Sequence, residues 1–146
     1  MTLDLTAIAT AFARDPRVVL VVLFGSAKEG TVRKESDVDI GVLLSPVQTP
    51  LEFCAFYNEM AARLSAIPEL DLVDLNHAGS VLAFEALCGR RLLVTDDERV
   101  AAFSSQVARQ YEDDMLHAAA QRPRESGVRS RESGVRRQKS GVGSQF

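Results

Sequence analysis

The sequence predicts a single α/β domain, on three observations. Its 146 residues suffice for one ordinary core, which at this length buries roughly two thirds of the surface that the unfolded chain exposes. Short apolar runs typical of strands alternate with stretches of helical periodicity. Cap and turn residues separate these segments. Because strands and helices alternate, we expect helices that pack against a sheet.

The chain is expected to begin with a helix and a buried strand. Leu5, Ile8 and Phe12 lie at helical spacing, and this helix must end near Asp15 because proline disfavours helical geometry in the residue before it. The run VVLVVLF at 18–24 is apolar throughout. It is therefore predicted to be a strand that is covered on both faces.

A second strand is expected at 37–44, and a helix follows it. The segment Thr49-Pro50-Leu51-Glu52 has the form of a capping box with proline at the first helical position. Apolar residues then follow at helical spacing, and we expect the three aromatic ones to pack in the core: Phe53, Phe56, Tyr57, Met60, Leu64 and Ile67.

The second half continues the alternation. Strands are predicted at 70–75 and 91–94, the latter at a sheet edge, with a helix at 80–88 between them that Gly89 ends. Thr95-Asp96-Asp97-Glu98 repeats the capping form. The helix that it opens carries one apolar stripe: Val100, Phe103, Val107, Tyr111 and Met115. Tyr111 could belong to the core or to an interface.

Composition limits the class of protein. The longest apolar run is far shorter than the ~18 residues that suggest a membrane span, and the N-terminus lacks the basic region and cleavage pattern of a signal peptide. We therefore expect a soluble, cytoplasmic protein. Cys54 and Cys88 are the only cysteines. Both lie in apolar patterns, so we expect buried thiols rather than a disulfide or a zinc site.

Charge divides the chain into a domain at 1–120 and a basic tail at 121–146. The first carries 10 Lys+Arg against 18 Asp+Glu, and the tail 7 against 2. The acidic domain gives no attraction for nucleic acid. The tail repeats RESGVRS, RESGVRR and QKSGVGS, with too little apolar surface per unit to fold. We expect a disordered, solvated extension, or alternatively a basic arm that touches RNA, DNA or an acidic partner.

Two carboxylates stand inside the apolar segment at 37–44. Asp37 and Asp39 are two residues apart, so in a strand they project from the same face, opposite Val38 and Ile40. Two carboxylates on neighbouring positions of one strand face repel each other, and a cation between them offsets this repulsion. Mg²⁺ suits such a position, because it binds one or two carboxylates together with phosphate and water oxygens. Taken alone, Asp-x-Asp is a weak signal, because loops, caps and calcium sites also contain it.

Gly25 and Ser26 directly follow the first predicted strand. Glycine permits close approach and unusual dihedral angles, and free N–H groups at such a turn can bind an anion such as phosphate. An ordinary turn is the alternative interpretation.

A third carboxylate is expected from the strand at 70–75. Asp71 and Asp74 are three residues apart, so they face opposite sides of a strand and only one can join Asp37 and Asp39. We assign Asp71 to that face and Asp74 to the solvent or the strand end. A phosphate-binding turn with three carboxylates has the parts of a two-metal phosphoryl or nucleotidyl transfer site.

The segments FGSAKEGTVRKESDVDIGVLL and LDLVDLNHAGSVLAFEALCGRRLL resemble the polymerase β nucleotidyltransferase superfamily, most of all its minimal nucleotidyltransferases. The resemblance covers about residues 5–115. It implies the nucleotidyltransferase fold, a small mixed sheet flanked by helices. It also implies an antitoxin that transfers AMP from ATP to a tyrosine of a HEPN-domain toxin encoded beside it, and so silences the toxin.

The resemblance also implies residue roles. Gly25 and Ser26 would bind the triphosphate, Asp37 and Asp39 would hold two Mg²⁺ ions, and Asp71 would act as the third metal-binding carboxylate beside the attacking hydroxyl. Many relatives carry arginines where this chain has Ala27 and Glu29. Three basic residues lie nearby: Lys28, Arg33 and Lys34. They either compensate for the missing arginines or are exposed charges that only aid solubility.

Two other functions stay open. The chain could neutralise its HEPN partner by binding alone, although three converging acids favour an enzyme. Transfer of a nucleotide to a small molecule such as an aminoglycoside is disfavoured, because no second domain completes a substrate cleft. His77 and His117 lack metal-ligand spacing and are expected at the surface.

Overall fold

The computed structural model describes residues 2–25, 30 and 37–121. The chain divides into two units, residues 1–112 and 113–146. The described part of the second unit is the end of the last helix, and the sheet and the candidate site belong to the first. The predicted tail lies, from residue 122 onward, outside the described residues.

The described residues form four helices and four strands. In chain order these are α1 Leu5–Ala13, β1 Val18–Phe24, β2 Val38–Leu44, α2 Pro50–Arg63, β3 Leu70–Asp74, α3 Ser80–Leu87, β4 Arg90–Val94 and α4 Asp97–Gln121. The predicted strands are confirmed, with ends that differ by no more than one residue. Among these helices none is long and apolar enough to cross a membrane.

The strands form one mixed sheet in the order β3-β2-β1-β4. β1 is antiparallel to both neighbours, whereas β2 and β3 are parallel. A parallel pair needs a long crossover, which here contains α2. The predicted edge position of β4 is confirmed. Central β1 is buried along its whole length, as its continuous apolar run predicts.

A hydrophobic core lies on each face of the sheet. On one face, α1 and α2 contribute Phe12, Phe56 and Met60, which cluster with the inward side chains Ile40 and Leu72. On the other face, Ala86 of α3 and Val100 of α4 pack with Val22, Leu43 and Leu75. The aromatic residues of α2 contact the first core as predicted, and the Tyr57 hydroxyl donates to the Leu70 carbonyl. Asp39 therefore lies on the α3 side of the sheet, opposite Ile40.

Both cysteines are exposed, so the prediction of buried thiols was wrong. Cys54 is two residues before the buried Phe56, about 200° around α2 from it, and therefore points away from the core. Cys88 is the C-cap of α3, where the helix leaves the sheet. Ile67 is buried as expected, but it follows α2, which ends at Arg63.

The helix caps confirm one prediction and correct another. Thr49 and Glu52 form the complete capping box of α2. At α4 the Asp96 carboxylate, not Thr95, accepts from the backbone N–H of Arg99. Thr95 is still tied to β1, because its N–H donates to Val19 and its hydroxyl donates to the Val18 carbonyl. The capping side chain is thus one residue later than the sequence pattern indicates.

Candidate active site

Asp39 and Asp71 meet at one end of the sheet. They are direct register partners on parallel strands β2 and β3, so both side chains project from the same face. The Asp71 carboxylate lies close enough to raise the pKa of Asp39. Asp37 directly precedes β2, is exposed, and lies close enough for its charge to act on Asp39. The structure therefore brings the three predicted carboxylates together.

The environment of Asp39 disfavours its charged form. Burial raises the pKa of Asp39, and the negative charges of Asp71, Asp37 and Glu85 raise this pKa further. A cation placed among these groups would offset the repulsion and lower the pKa of Asp39 again.

Gly25 turns the chain directly beside Asp39. Its backbone has φ +72°, a left-handed conformation that side chains other than glycine rarely adopt. A Cβ atom at this position would collide with Oδ2 of Asp39. Glycine is thus required both for the turn and for the close approach of the backbone to the carboxylate. Ser26 lies outside the described residues, as do Ala27, Lys28, Glu29, Arg33 and Lys34, and their roles stay predictions.

Gly41 of β2 gives Leu75 room to pack on the same face as Asp39. A Cβ atom at Gly41 would lie 3.0 Å from one methyl carbon of Leu75, closer than side chains normally approach. Leu75 is 1% exposed and belongs to the core on this face. The glycine in β2, which weakens a strand in isolation, is explained by this contact.

A cavity of about 290 Å³ adjoins Gly25. It is lined by Phe24, Gly25, Glu85, Cys88 and Gly89. Glu85, an exposed residue of α3, is a fourth carboxylate that acts on Asp39, and sequence reasoning missed it. A signal was present, since Glu85 is the only charged residue between Ser80 and Gly89.

The other candidate residues have local roles. Asp74 ends β3 on the face opposite Asp71, as predicted. One of its oxygens accepts from the backbone N–H of Asn76, and the other lies 2.9 Å from Nδ1 of His77. Asp74 therefore stabilises the turn after β3. His77 and His117 are both exposed, which confirms their surface positions.

Carboxylate oxygens are hard ligands that suit Mg²⁺. Within the described ranges, no three His, Cys, Asp or Glu side chains are arranged to hold one ion together. Asp39 and Asp71 fit a Mg²⁺ ion that takes one or two protein carboxylates and completes its shell with phosphate and water. The raised pKa of Asp39 supports this fit, because a cation would relieve the repulsion that causes it.

Residues 6–99 match the family described as "Polymerase beta, Nucleotidyltransferase". The chain belongs to this nucleotidyltransferase family. The matching range contains Gly25, the three aspartates and Glu85. The expected nucleotidyltransferase fold, a mixed sheet flanked by helices, is thereby confirmed.

Similar proteins include the protein adenylyltransferase MntA of Shewanella oneidensis, which is 35% identical over 89 residues. The alignment covers 59% of this chain and 63% of that protein. A crystal structure of a toxin-antitoxin with AMP-PNP contains a chain that is 26% identical, with a TM-score of 0.67, covering 81% of this chain and 94% of its own.

A further similar chain occurs in the structure of the tri-AMPylated Shewanella oneidensis HEPN toxin in complex with MNT antitoxin. It is 21% identical with a TM-score of 0.61, and the alignment covers 80% of this chain and 93% of that one. This likeness shows a shared fold.

Proposed function

We propose that the protein is a Mg²⁺-dependent adenylyltransferase antitoxin, which transfers AMP from ATP to a tyrosine of a HEPN-domain toxin and thereby neutralises it. The observation that carries this proposal is the convergence of Asp37, Asp39 and Asp71 beside the left-handed turn at Gly25. The kinship with a protein adenylyltransferase and with a toxin-antitoxin structure that contains AMP-PNP supports it.

The carboxylate cluster favours catalysis over binding alone. Burial disfavours the charged form of Asp39, and the negative charges of Asp71, Asp37 and Glu85 add to this cost by repulsion. A protein that only bound its partner would gain nothing from the repulsion among Asp37, Asp39 and Asp71, whereas a phosphoryl-transfer enzyme uses these three carboxylates to hold cations.

In the proposed reaction, the acceptor hydroxyl attacks the α-phosphorus of ATP. A new P–O bond forms to the acceptor, the bond between the α-phosphorus and the bridging oxygen breaks, and pyrophosphate leaves. Asp71 orients the hydroxyl and accepts its proton. Gly25 and Ser26 hold the triphosphate through backbone N–H groups and the serine hydroxyl.

Asp37 and Asp39 would hold the two Mg²⁺ ions, and Asp71 would contribute to the same site. When bound, the ions supply charge stabilisation for the pentavalent transition state and for the leaving pyrophosphate. We place this chain in the cytoplasm, which is consistent with ATP as its substrate.

The test uses the purified full chain, Mg²⁺ and the HEPN-domain protein encoded beside it. ATP labelled at the α-phosphate should label the partner, whereas ATP labelled at the γ-phosphate should not. Tight binding without label from either ATP would support the alternative, a non-catalytic antitoxin. Label on a small-molecule acceptor but not on the HEPN protein would contradict both antitoxin functions.

A further inference from the structure

α3 has one buried side and one solvent-exposed side. Ala83 and Ala86 are buried, whereas Val81 is 53% and Leu82 is 38% exposed. Residues three and four positions apart are neighbours on a helix surface, so Glu85 lies on the same side as Val81 and Leu82. We call Val81, Leu82 and Glu85 the α3 face. Two adjacent exposed aliphatic side chains beside a charged one form an amphipathic surface that can dock another protein.

The α3 face adjoins the candidate active site. Glu85 lines the cavity at Gly25, and its charge reaches Asp39. Val81 lies one helical turn before Glu85. A partner that rests on this face therefore has its contacting segment next to the carboxylates that would activate its hydroxyl.

The charge of the α3 face indicates the chemistry of its partner. Glu85 adds a fourth negative charge near Asp37, Asp39 and Asp71, and like charges at short range repel. A lysine or arginine from the partner would relieve this repulsion. Such charge complementarity also guides the approach of two proteins and selects the partner.

We propose that the α3 face is the docking surface for the protein acceptor, with apolar acceptor side chains packed on Val81 and Leu82 and a basic acceptor residue paired with Glu85. The hydroxyl to be modified then lies close in sequence to that basic residue. This inference rests on the proposed function and adds to it the place where the acceptor docks.

Three variants of the full chain test the proposal against a matched control. Leu82→Lys and Glu85→Arg change the α3 face, and Glu85→Gln is a milder second variant. Leu51→Lys is the control, because Leu51 is 82% exposed and lies on α2, across the sheet from α3. For each we would measure the Kd for the HEPN-domain partner, the KM for that partner in AMP transfer, and the Kd for Mg-ATP with the chain alone.

Leu82→Lys and Glu85→Arg should each raise the Kd and the KM for the partner about tenfold or more. Glu85→Gln should have a smaller effect in the same direction. The Kd for Mg-ATP should stay within about twofold for Leu82→Lys and Leu51→Lys, because neither residue lines the cavity at Gly25. Glu85 does line that cavity, so its two variants are judged by the Kd for the partner, which is measured without nucleotide. Leu51→Lys should resemble the wild type in every measurement.

Unchanged partner binding in the α3 variants, or a loss confined to Leu51→Lys, would overturn the proposal. A change of about tenfold or more in the Kd for Mg-ATP in Leu82→Lys would place the α3 face on the nucleotide side and would also overturn it. If the wild type bound the partner but transferred no AMP, the proposed function would fail, while the binding measurements would still decide whether α3 is the docking surface.

Discussion

Asp39 is needed for the proposed reaction but lowers the stability of the folded domain. Burial, and then the negative charges of Asp71 and Asp37, raise its pKa above the ordinary value of 3.8. The unfolded chain therefore loses this proton at a lower pH than the folded protein does. Stability falls as the pH rises from the unfolded to the folded pKa and stays reduced above that window. The residue that the proposed reaction needs thus destabilises the fold at neutral pH.

Asp39→Asn should remove this penalty. At about pH 7 we expect a melting temperature equal to that of the wild type or up to roughly 4 °C higher. Below about pH 3, where the carboxyl is protonated in both states, the difference should disappear. Asp74→Asn is the control and should lower stability, because Asp74 accepts from Asn76 and pairs with His77. Thermal unfolding at both pH values measures this, and a destabilised Asp39→Asn protein at pH 7 would contradict the electrostatic account.

Gly25→Ala tests the turn beside Asp39. The substitution forces a side chain into a backbone with φ +72° and against Oδ2 of Asp39. We expect a loss of about 1–3 kcal/mol in the free energy of unfolding and a decrease in AMP transfer of about tenfold or more, because the carboxylate must move.

Gly79→Ala is the matched control for Gly25→Ala. Gly79 is the N-cap of α3, has φ −66°, and a Cβ atom added there would meet no other atom within 4 Å. Its replacement should therefore cost about 1 kcal/mol at most, from the weaker cap, and leave transfer intact. Urea unfolding and initial transfer rates compare the two. Equal behaviour of the two variants would refute a special role for the turn at Gly25.

At the scale of elements, α3 and α4 are joined by one aromatic pair. The rings of Phe84 and Tyr111 stack with centroids 4.3 Å apart and planes 9° apart. The sequence pattern allows Tyr111 to belong to the core or to an interface. In the structure, Tyr111 makes this contact within the chain. It lies on the predicted stripe with Val100 and Val107, which are buried, whereas Met115 on the same stripe is 41% exposed.

Tyr111→Ala should therefore lower the free energy of unfolding by about 1–3 kcal/mol, from lost stacking and lost apolar burial. Tyr111→Phe keeps the ring and should be close to neutral. Chemical denaturation of both variants measures the difference. A stable Tyr111→Ala protein that failed to bind the proposed HEPN-domain partner would instead assign Tyr111 to an interface.

Most helices and strands follow from local sequence patterns. The predictions that were wrong concern features that tertiary contacts determine. The apolar run of β1, the capping box at Thr49 and the spacing of Asp37 and Asp39 are local and were predicted correctly. The two-residue period of a strand showed only that Asp71 and Asp74 face opposite sides, and the choice of Asp71 went beyond that period. Whether Asp71 lies beside Asp39 depends on the strand register, which the sequence does not fix.

The missed features depend on which surface an element presents. Glu85 approaches Asp39 only because α3 packs on that end of the sheet. The exposure of Cys54 and Cys88 depends on helix rotation and on where a helix ends. Asp96 replaces Thr95 as the cap because Thr95 remains bonded to β1.

At the scale of the whole molecule, the division into a domain at 1–120 and a tail at 121–146 stays a prediction. Deletion of residues 122–146 is expected to leave the melting temperature and AMP transfer nearly unchanged, because each repeat offers too little apolar surface to join a core. Thermal unfolding and transfer rates of the shortened chain check this. A substantial loss of either would show that the tail contributes to folding or to function.

The proposed function places AMP transfer to a partner protein at the carboxylates beside Gly25. The most direct measurement is the intact mass of the proposed HEPN-domain partner after incubation with Mg-ATP and either the wild type or Asp39→Asn. The wild type should add one or more AMP units, and Asp39→Asn, although folded, should add none over the same time. Addition of AMP by Asp39→Asn at the wild-type rate would contradict a catalytic role of these carboxylates.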